Sequence, residues 1–291
     1  MGTPAPATHP EQAARAARFL ALHRGAGPLL LPNPWDAGSA ALLASLGFTA
    51  LATTSSGFAA TLGRLDGSVS REEALTHAAT IAGATDLPVS ADLENGLADD
   101  PDAVAATVGL AVAAGLAGCS IEDHTGRADA PIYESWLAAE RIAAAAAVAH
   151  AGPVHLVLTA RSENHVRGRP DLPDTIARLQ AYQAAGADVL FAPGLTRLDD
   201  IRRVVAAVDR PVNVLIRPGG PSVAELAAAG VSRISVGGAF AFAALGAVVE
   251  AARELREDGT CRFWEGASVG VAAARSAFAP VGSPRPGGAA A

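Results

Sequence analysis

Short apolar runs recur along the whole chain, and two kinds of opening signal introduce them in alternation. One set opens with a proline, at Pro28-Leu29, Pro88-Val89, Pro153-Val154 and Pro211-Val212. The other set follows a glycine, at Gly47-Phe48, Gly115-Leu116, Gly186-Ala187 and Gly230-Val231. Proline suits the first residue of a strand, where no backbone donor is needed, and glycine suits the left-handed position after the last turn of a helix. The pattern therefore predicts eight strands.

Alanine-rich segments with helical periodicity separate the predicted strands. They lie around 36–46, 70–83, 101–114, 134–150, 173–185, 197–208, 222–229 and 238–257. Apolar strands that alternate with helices indicate a parallel sheet buried on both faces, and eight such units close into an α/β barrel of the (β/α)₈ TIM type. An open doubly wound sheet is the alternative, but it usually carries G-x-G-x-x-G after its first strand, where this chain has LLPNPWD from Leu30 to Asp36.

One additional C-terminal helix is predicted over residues 263–278, beyond the eighth unit. Its apolar anchors, Phe263 and Trp264, need a surface to cover, which suggests a homo-oligomer. We expect a single domain over residues 1–291, with flexible tails at 1–9 and 280–291. The C-terminal tail is rich in proline, glycine and alanine and has little to bury.

Composition narrows the class of partner. A net charge of −7 argues against nucleic acid and against anionic membranes, since either partner calls for a surface rich in lysine and arginine. The alanine runs are too often interrupted for a spanning helix, and the N-terminus lacks the apolar block of a signal peptide, so we expect a cytoplasmic protein. Cys119 and Cys261 have no metal-ligand spacing and are expected to be plain thiols.

Polar residues collect where the predicted strands end, which is where barrels of this type place their active sites. Asp92-Leu93-Glu94 follows the third strand and Glu122-Asp123-His124 the fourth. Because Asp92 and Glu94 are two residues apart and Glu122 comes from the neighbouring strand, we expect three carboxylates to converge. Such a cluster would repel itself, and a bound Mg²⁺ or Mn²⁺ is the simplest counter-charge. The alternative is that acids here only cap the next helices, which we prefer for Asp99, Asp100 and Asp102.

Other strand-end residues suggest how a substrate would be held. Arg161 ends the fifth strand and could grip a carboxylate with two parallel hydrogen bonds, or pair internally with Glu122 or Asp92. The segment Ser55-Ser56-Gly57 could receive an anionic oxygen, although it is also common in turns. His124 could act as an acid or base, or be an ordinary loop residue.

A phosphate-binding barrel stays open as another hypothesis. Gly219-Gly220 and Gly237-Gly238 follow strands seven and eight, where barrels often bind phosphate. It does not explain the acids at the other strand ends. A catalytically silent barrel that only binds a ligand is a further alternative.

In order along the chain, these motifs resemble the isocitrate lyase/phosphoenolpyruvate mutase superfamily, from about Leu29 to Glu257. The metal-site pattern D-x-D-x-G of that family is DLENG at Asp92–Gly96, with Glu94 in place of the second aspartate. Its strand-four E-D is Glu122-Asp123, its strand-five A-R-[TS] is Ala160-Arg161-Ser162, and its strand-two S-G is Ser56-Gly57. Asp66 matches the aspartate after an L-G-x-x segment, and Ala185-Gly186-Ala187-Asp188 matches A-G-A-D.

The resemblance implies a metal-dependent lyase or hydrolase that breaks a carbon–carbon bond in a small 2-oxo or 2-hydroxy carboxylic acid, or a mutase or other enzyme that breaks a carbon–phosphorus bond. It implies that Asp92 contacts the metal and that Glu94, Asp66 and Glu122 hold it largely through water. Ser56 and Gly57, with Ser55 beside them, would bind one end of the substrate and Arg161 the other. Catalytic roles would fall to Arg161, Glu122 and His124. It also suggests a dimer or tetramer formed by exchange of the C-terminal helix.

One loop departs from the family pattern. Lyases of the family carry K-[KR]-C-G-H after strand four, with a catalytic cysteine, whereas this chain has DHTGRADAP from Asp123 to Pro131. It contains neither lysine nor cysteine. His124, Thr125 and Arg127 are the candidates to replace the missing acid/base, and the sequence does not select among them.

Overall fold

Eight parallel strands form the wall of a barrel in the computed structural model, which describes residues 9–279. They are β1 (Leu29–Leu31), β2 (Leu51–Ala52), β3 (Val89–Asp92), β4 (Gly118–Glu122), β5 (Val157–Arg161), β6 (Val189–Phe191), β7 (Val212–Leu215) and β8 (Arg233–Ser235). Each strand pairs in parallel with the next along the chain from β2 to β8, and β8 pairs with β1. A hydrogen bond of 3.1 Å from Ala52 N to Pro32 O joins β2 to the end of β1 and closes the ring. The predicted (β/α)₈ fold is confirmed.

Eleven α-helices are described within residues 9–279. They are α1 (His9–Leu22), α2 (Ala37–Ser45), α3 (Ser55–Thr61), α4 (Arg71–Gly83), α5 (Pro101–Ala113), α6 (Ser135–Ala149), α7 (Leu172–Ala184), α8 (Leu198–Ala207), α9 (Val223–Ala228), α10 (Ala239–Arg253) and α11 (Trp264–Ala277). A 3₁₀ turn at Asn164–Arg167 follows β5, and a π-helical turn at Glu254–Asp258 extends α10. None of the described helices combines the length and the hydropathy that crossing a membrane requires.

Two strands begin three residues later than their opening signals predict, and β4, β6 and β8 begin two residues later. The strand expected after Gly47 begins at Leu51, and the strand expected after Pro153 begins at Val157. Val154 and Leu156 are nevertheless buried. These residues enter the core before they come into register with a neighbouring strand, because apolar burial and ladder pairing are separate conditions.

The floor of the barrel is closed by α1, which the apolar pattern did not predict. Phe19 of α1 is fully buried, and a Cβ built on Gly118 would lie only 2.8 Å from its ring. Glycine at the start of β4 therefore permits the helix to close the barrel. Of the predicted flexible tails, residues 1–8 and 280–291 lie outside the described residues, and residue 9 begins α1.

Both C-terminal helices contact the barrel but bury little of their surface against it. In α10 only Ala241 is buried, and in α11 no residue is. The exposed large apolar residues of this region are Phe240, Phe242, Leu245, Val248, Val249, Leu255, Trp264, Val269, Val271 and Phe278. On the barrel wall, the outward-facing Leu30 of β1 is also exposed. The predicted additional helix is present and leaves a broad apolar face uncovered within one chain.

Candidate active site

A cavity of about 200 Å³ lies inside the carboxyl ends of the strands. Its polar lining comes from several strands and from the loops after them: Asn33, Thr53, Thr54, Ser55, Ser56, Asp66, Ser90, Asp92, Ser120, Arg161, Asn213, Arg233 and Ser235. Two further hollows, of about 370 and 260 Å³, are lined by no titratable side chain. Convergent polar groups make the cavity at the strand ends the candidate active site.

Arg161 is the central cation of this site. From the end of β5 its Nη1 atom lies 2.9 Å from Asp92 Oδ1, and its Nη2 atom lies 2.8 Å from Glu122 Oε2 and 2.9 Å from Glu163 Oε1. Its guanidinium also lies over the Phe191 ring, 5.2 Å from the centroid. The internal ion pair left open by the sequence is therefore formed, and it takes most of the five N–H donors of the arginine.

These contacts fix the charges of the buried partners. Burial alone would lower the pKa of Arg161, but Glu122, Glu163 and Asp92 hold it well above its usual range. Burial would likewise raise the pKa of Glu122, but Arg161 and His124 hold it below its usual range. Burial raises the pKa of Glu163 to about 7, against the attraction of Arg161. Arg161 and Glu122 are thus an ionised pair at neutral pH.

Asp92 links the ion pair to the helix that follows β2. Its Oδ2 atom accepts hydrogen bonds from Ser55 N at 3.2 Å and from Ser55 Oγ at 3.0 Å. Its Oδ1 atom accepts from Arg161 and, at 3.5 Å, from Ser120 Oγ. Asp92 therefore sits among donors on one side and faces the loop acids on the other.

Asp66 and Glu94 form the other half of the acid cluster. Within residues 9–279, no arginine or histidine nitrogen lies within 4 Å of either carboxyl group, in contrast to Asp92 and Glu122. Desolvation, with repulsion from Asp92 and Asp66, raises the pKa of Glu94 to about 8. Desolvation also raises the pKa of Asp66, and Asp92 and Glu122 raise it further. Both groups repel the other acids of the cluster, and the more distant Arg161 offsets this repulsion only in part.

This donor set fits a hard divalent cation. Carboxylate oxygens are the ligands that Mg²⁺ and Mn²⁺ prefer, and positive charge added beside Asp66 and Glu94 would favour the ionised form of both acids. Arg161 neutralises the opposite side of the cluster. Of the predicted metal residues, Asp66 and Asp92 line the cavity. Glu94 lines a smaller hollow together with Asp92, and Glu122 pairs with Arg161. The capping role holds elsewhere, at Asp100, whose side chain accepts the amides of Asp102 and Ala103.

The predicted anion-binding segment forms the first turn of α3 rather than a turn between elements. Ser55 and Ser56 line the cavity. Gly57 does not, and its amide donates to Thr54 Oγ1 at 3.3 Å. A Cβ on Gly57 would lie 2.6 Å from Thr54 Cγ2, so glycine is required there for close packing. The sequence suggested that the Gly57 amide would bind an anion, but this amide donates to the residue that caps the N-terminus of α3.

The loop after β4 closes on itself. Thr125 Oγ1 donates to Ala130 O at 2.6 Å, and Arg127 is exposed and pairs with Asp129. His124 points into the site, with Nδ1 lying 3.7 Å from Glu122 Oε1. Of the three candidates to replace the missing loop acid/base, only His124 contacts the carboxylate cluster.

Sequence reasoning gave no role to several residues of the site. Glu163 binds Arg161, and Arg167 of the 3₁₀ turn lies 3.8 Å from Glu122 and 3.6 Å from Glu163. Both residues follow Arg161 closely in the sequence, at two and six positions after it, and this spacing could have indicated that they contact it. Arg233 and Asn213 line the cavity from β8 and β7, and a charged residue inside an apolar strand was the signal for Arg233. Of the glycine pairs, Gly237-Gly238 lines the cavity, whereas Gly220 closes a turn by donating to Arg217 O.

A histidine pair lies at the opposite end of the barrel. Nε2 of His150 and Nε2 of His155 each lie 3.0 Å from a different oxygen of Asp188. One of those oxygens also accepts the amide of Leu158 at 2.9 Å. These side chains satisfy one another by hydrogen bonding and join the start of β5 to that of β6.

Comparison with known proteins decides the family. The sequence model described as phosphoenolpyruvate phosphomutase matches residues 19–256. The chain belongs to the phosphoenolpyruvate phosphomutase family. The matched region contains every residue that lines the cavity and ends before α11. Membership confirms the superfamily resemblance.

Several known proteins are similar to this chain over most of its length. A crystal structure of a Burkholderia cenocepacia protein of the lyase/mutase type is 54% identical, with a TM-score of 0.90, and covers 94% of this chain and 100% of that chain. An uncharacterized Mycobacterium tuberculosis protein is 33% identical over 240 residues, which is 82% of this chain and 89% of that protein. The 2-methylisocitrate lyase of Escherichia coli is 31% identical over 193 residues, 64% of each chain.

Proposed function

We propose that this protein is a Mg²⁺-dependent or Mn²⁺-dependent enzyme that cleaves a carbon–carbon bond in a small 2-oxo or 2-hydroxy carboxylic acid. The reaction is that of a lyase or hydrolase and passes through a pyruvate-like enolate. The observation that carries the proposal is the pair of acids without a counter-charge, Asp66 and Glu94, beside Asp92 at the cavity. Similarity to a 2-methylisocitrate lyase supports the reaction class.

The metal would be held on the side of the cluster that Arg161 leaves uncompensated. Asp92 would contact it directly, and Asp66, Glu94 and Glu122 would hold it largely through water. When bound, Mg²⁺ supplies positive charge that stabilises the enolate oxygen. Arg161 keeps Glu122 ionised and fixes the orientation of the Asp92 carboxylate, so both groups are held in place to accept hydrogen bonds.

The chain's own donors would orient the substrate. The hydroxyl groups of Ser55 and Ser56 face the cavity and would bind one carboxylate end. Arg161 makes four contacts with carboxylates, which leaves one N–H of Nη1 for an anionic oxygen of the substrate. Gly57 serves this arrangement indirectly, because its close packing sets the position of α3.

His124 would move the proton. Its Nδ1 atom faces Glu122, so the imidazole is oriented by a carboxylate and presents Nε2 for proton transfer. Glu122 lies against both His124 and Arg161, so the imidazole is positioned beside the carboxylate cluster when the carbanion accepts its proton. In this proposal His124 takes over the part that the loop cysteine plays in the family's lyases.

A screen of candidate substrates tests the proposal. Oxaloacetate, 2-methylisocitrate, 2,3-dimethylmalate and phosphonopyruvate would be incubated with the protein and Mg²⁺, and pyruvate and oxalate release followed. Because Mg²⁺ alone can promote decay of 2-oxo acids, the matched control is the Asp92→Ala variant in the same buffer. Turnover of a carbon–carbon substrate that requires metal, and that Asp92→Ala lacks, is the expected result. If no substrate is turned over with Mg²⁺ or Mn²⁺, the remaining hypothesis is a catalytically silent barrel that only binds a ligand.

Cleavage or rearrangement of a carbon–phosphorus bond is the second candidate. It is favoured by the description of the matching family, phosphoenolpyruvate phosphomutase, and by Gly237-Gly238 at the cavity wall after β8. Turnover confined to phosphonopyruvate would establish it in place of the carbon–carbon reaction.

We also propose a homo-oligomer, a dimer or tetramer, assembled through α10 and α11. The uncovered apolar side chains of these helices and the exposed Leu30 on the barrel wall support it, because such surfaces are rarely left open to water. Light scattering at micromolar concentration should give a multiple of the 29.1 kDa chain mass. A single 29.1 kDa species would count against the proposal.

A further inference from the structure

Arg233 is the first residue of β8, and its side chain lies inside the barrel. It is 4% exposed and lines the same cavity as Arg161. Its Nε atom donates to Asn213 Oδ1 at 2.9 Å. Its Nη1 atom lies 3.1 Å from Thr159 Oγ1 and 3.3 Å from His23 Nε2. Since His23 follows the floor helix α1, Arg233 occupies the inner end of the cavity, below the acid cluster.

This arginine is a buried cation without a counter-ion. Among residues 9–279, no carboxylate lies within 4 Å of its guanidinium; its partners are an amide, a hydroxyl and an imidazole. Burial and the charge of Arg233 lower the pKa of His23 to about 3, so the imidazole is neutral. Burial and the nearby Arg161 lower the pKa of Arg233 to about 9, so it stays charged at neutral pH. An isolated buried charge is costly to a fold.

Other buried arginines of the barrel are neutralised or fully hydrogen-bonded. Arg178 pairs with Asp174 at 2.7 Å and with Asp123 at 3.3 Å. Arg141 places its donors on the backbone carbonyls of Asn95, Ala98, Asp99 and Glu122. Arg233 differs from both, because among residues 9–279 it has neither a carboxylate partner, as Arg178 has, nor a hydrogen bond from its Nη2 atom, as Arg141 has. The unused donor belongs to a residue that lines the cavity.

A second donor lies beside it. Asn213 donates through Nδ2 to Ser235 Oγ at 2.9 Å, and the bond from Arg233 to its Oδ1 atom fixes the orientation of the amide. Ser235 Oγ therefore acts as an acceptor in this network, and its own hydrogen is free to be donated. Ser235 also lines the cavity.

We propose that Arg233 and Ser235 form an anion-binding subsite at the inner end of the cavity, which receives a second carboxylate of the substrate. The bound carboxylate would supply the missing counter-charge and accept both unused donors. This inference rests on the proposed function, in which the other end of the substrate lies at the metal. With the added subsite, the substrate would be a short dicarboxylate rather than a monocarboxylate. The volume of the cavity, about 200 Å³, is smaller than the roughly 300–1,000 Å³ of sites that bind drug-sized ligands. The carbon chain of the dicarboxylate must therefore be short.

A matched pair of 2-hydroxy acids tests the subsite. Malate and lactate share the same head group, and only malate has a second carboxylate. In calorimetry with Mg²⁺, the protein should bind malate more tightly than lactate by about tenfold or more, the strength of a charge-assisted hydrogen bond. Arg233→Met should remove that preference and leave lactate binding unchanged. Arg167→Met, which removes a guanidinium from the half-exposed rim, should keep it. A preference for malate that survives Arg233→Met overturns the inference.

A second measurement separates this inference from the proposed reaction. Sodium formate, compared with sodium chloride at equal ionic strength and without divalent metal, should raise the melting temperature of the protein but not that of Arg233→Met. Formate stabilisation that depends on Arg233 supports the subsite even if neither hydroxy acid binds, in which case the proposed function fails alone. Formate stabilisation that is absent, or equal in Arg233→Met, defeats the subsite whatever the enzyme turns over. If Arg233 is only structural, Arg233→Met should melt lower with the malate preference intact, which also overturns the inference.

Discussion

The carboxyl groups around the cavity divide into two sets that differ in what neutralises them. Asp92, Glu122 and Glu163 surround Arg161 at 2.8 to 2.9 Å. Within the described residues 9–279, Asp66 and Glu94 have no cation this close, and the pKa of Glu94 is raised to about 8. The contrast shows that the chain supplies a cation for one side of the cluster, and in the proposed function a metal ion from solution neutralises the other. The two sides should therefore respond in opposite ways to mutation, to pH and to Mg²⁺.

Loss of the central cation should have the largest effect. Arg161→Met leaves three acids near one another in a buried site without a counter-charge. The expected loss is about 3–5 kcal/mol in the free energy of unfolding, the range for breaking a buried ion pair from one side. Urea denaturation at pH 7 measures it, with Arg167→Met at the half-exposed rim as control, where about 1 kcal/mol or less is expected. Equal small losses in both variants would contradict the central role of Arg161.

A Glu→Gln substitution on each side of the acid cluster compares the two sets of carboxyl groups more directly. Glu122→Gln removes a charged partner of Arg161 and should cost about 1.5–3 kcal/mol in metal-free protein, because a hydrogen bond to a charged group is weakened. Glu94→Gln removes an acid that repels its neighbours, so metal-free protein should be unchanged or slightly more stable. Denaturation in the presence of a chelator decides between them. If Glu94→Gln is the more damaging variant, the division of the cluster is wrong.

The pH dependence of stability should be a smaller effect. The pKa of Glu94 is raised from 4.5 to about 8 in the metal-free fold, so between these values the folded chain holds a proton that the unfolded chain has released. Its stabilising contribution is complete below pH 4.5 and is lost as the pH rises towards 8. The melting temperature of metal-free protein should therefore fall relative to Glu94→Gln between pH 5 and 8. A constant difference between the two across that range would contradict the raised pKa.

Much of the fold could be predicted because its signals are local. Proline before β1 and glycine before β4 act through backbone geometry within a few residues, so eight strands follow from the sequence. The position of the acids also follows, since strand ends meet at one mouth. Helix α1 could not be predicted as the floor, because its partner is Gly118, far along the chain.

Which acids pair with Arg161 and which do not could be learned only from the three-dimensional structure. Nothing in the spacing of Asp92, Glu122 and Arg161 says which carboxylates the guanidinium reaches, because that depends on the register of β3, β4 and β5. The direction of Arg233 depends in the same way on the register of β8 with β7. Ser55-Ser56-Gly57 was ambiguous because the capping contact with Thr54 is also typical of a turn.

Calorimetric titration of Mg²⁺ at pH 8 tests most directly whether the cation binds on the uncompensated side. The titration would use the wild-type protein and two variants with the same substitution, Glu94→Gln and Glu163→Gln. Glu94 lies beside Asp66 and Asp92, whereas Glu163 is already paired with Arg161. The account predicts that Glu94→Gln weakens Mg²⁺ binding by about tenfold, while Glu163→Gln leaves it within about twofold of wild type, since about 1.4 kcal/mol corresponds to one factor of ten. Weakened binding in Glu163→Gln with unchanged binding in Glu94→Gln would contradict it.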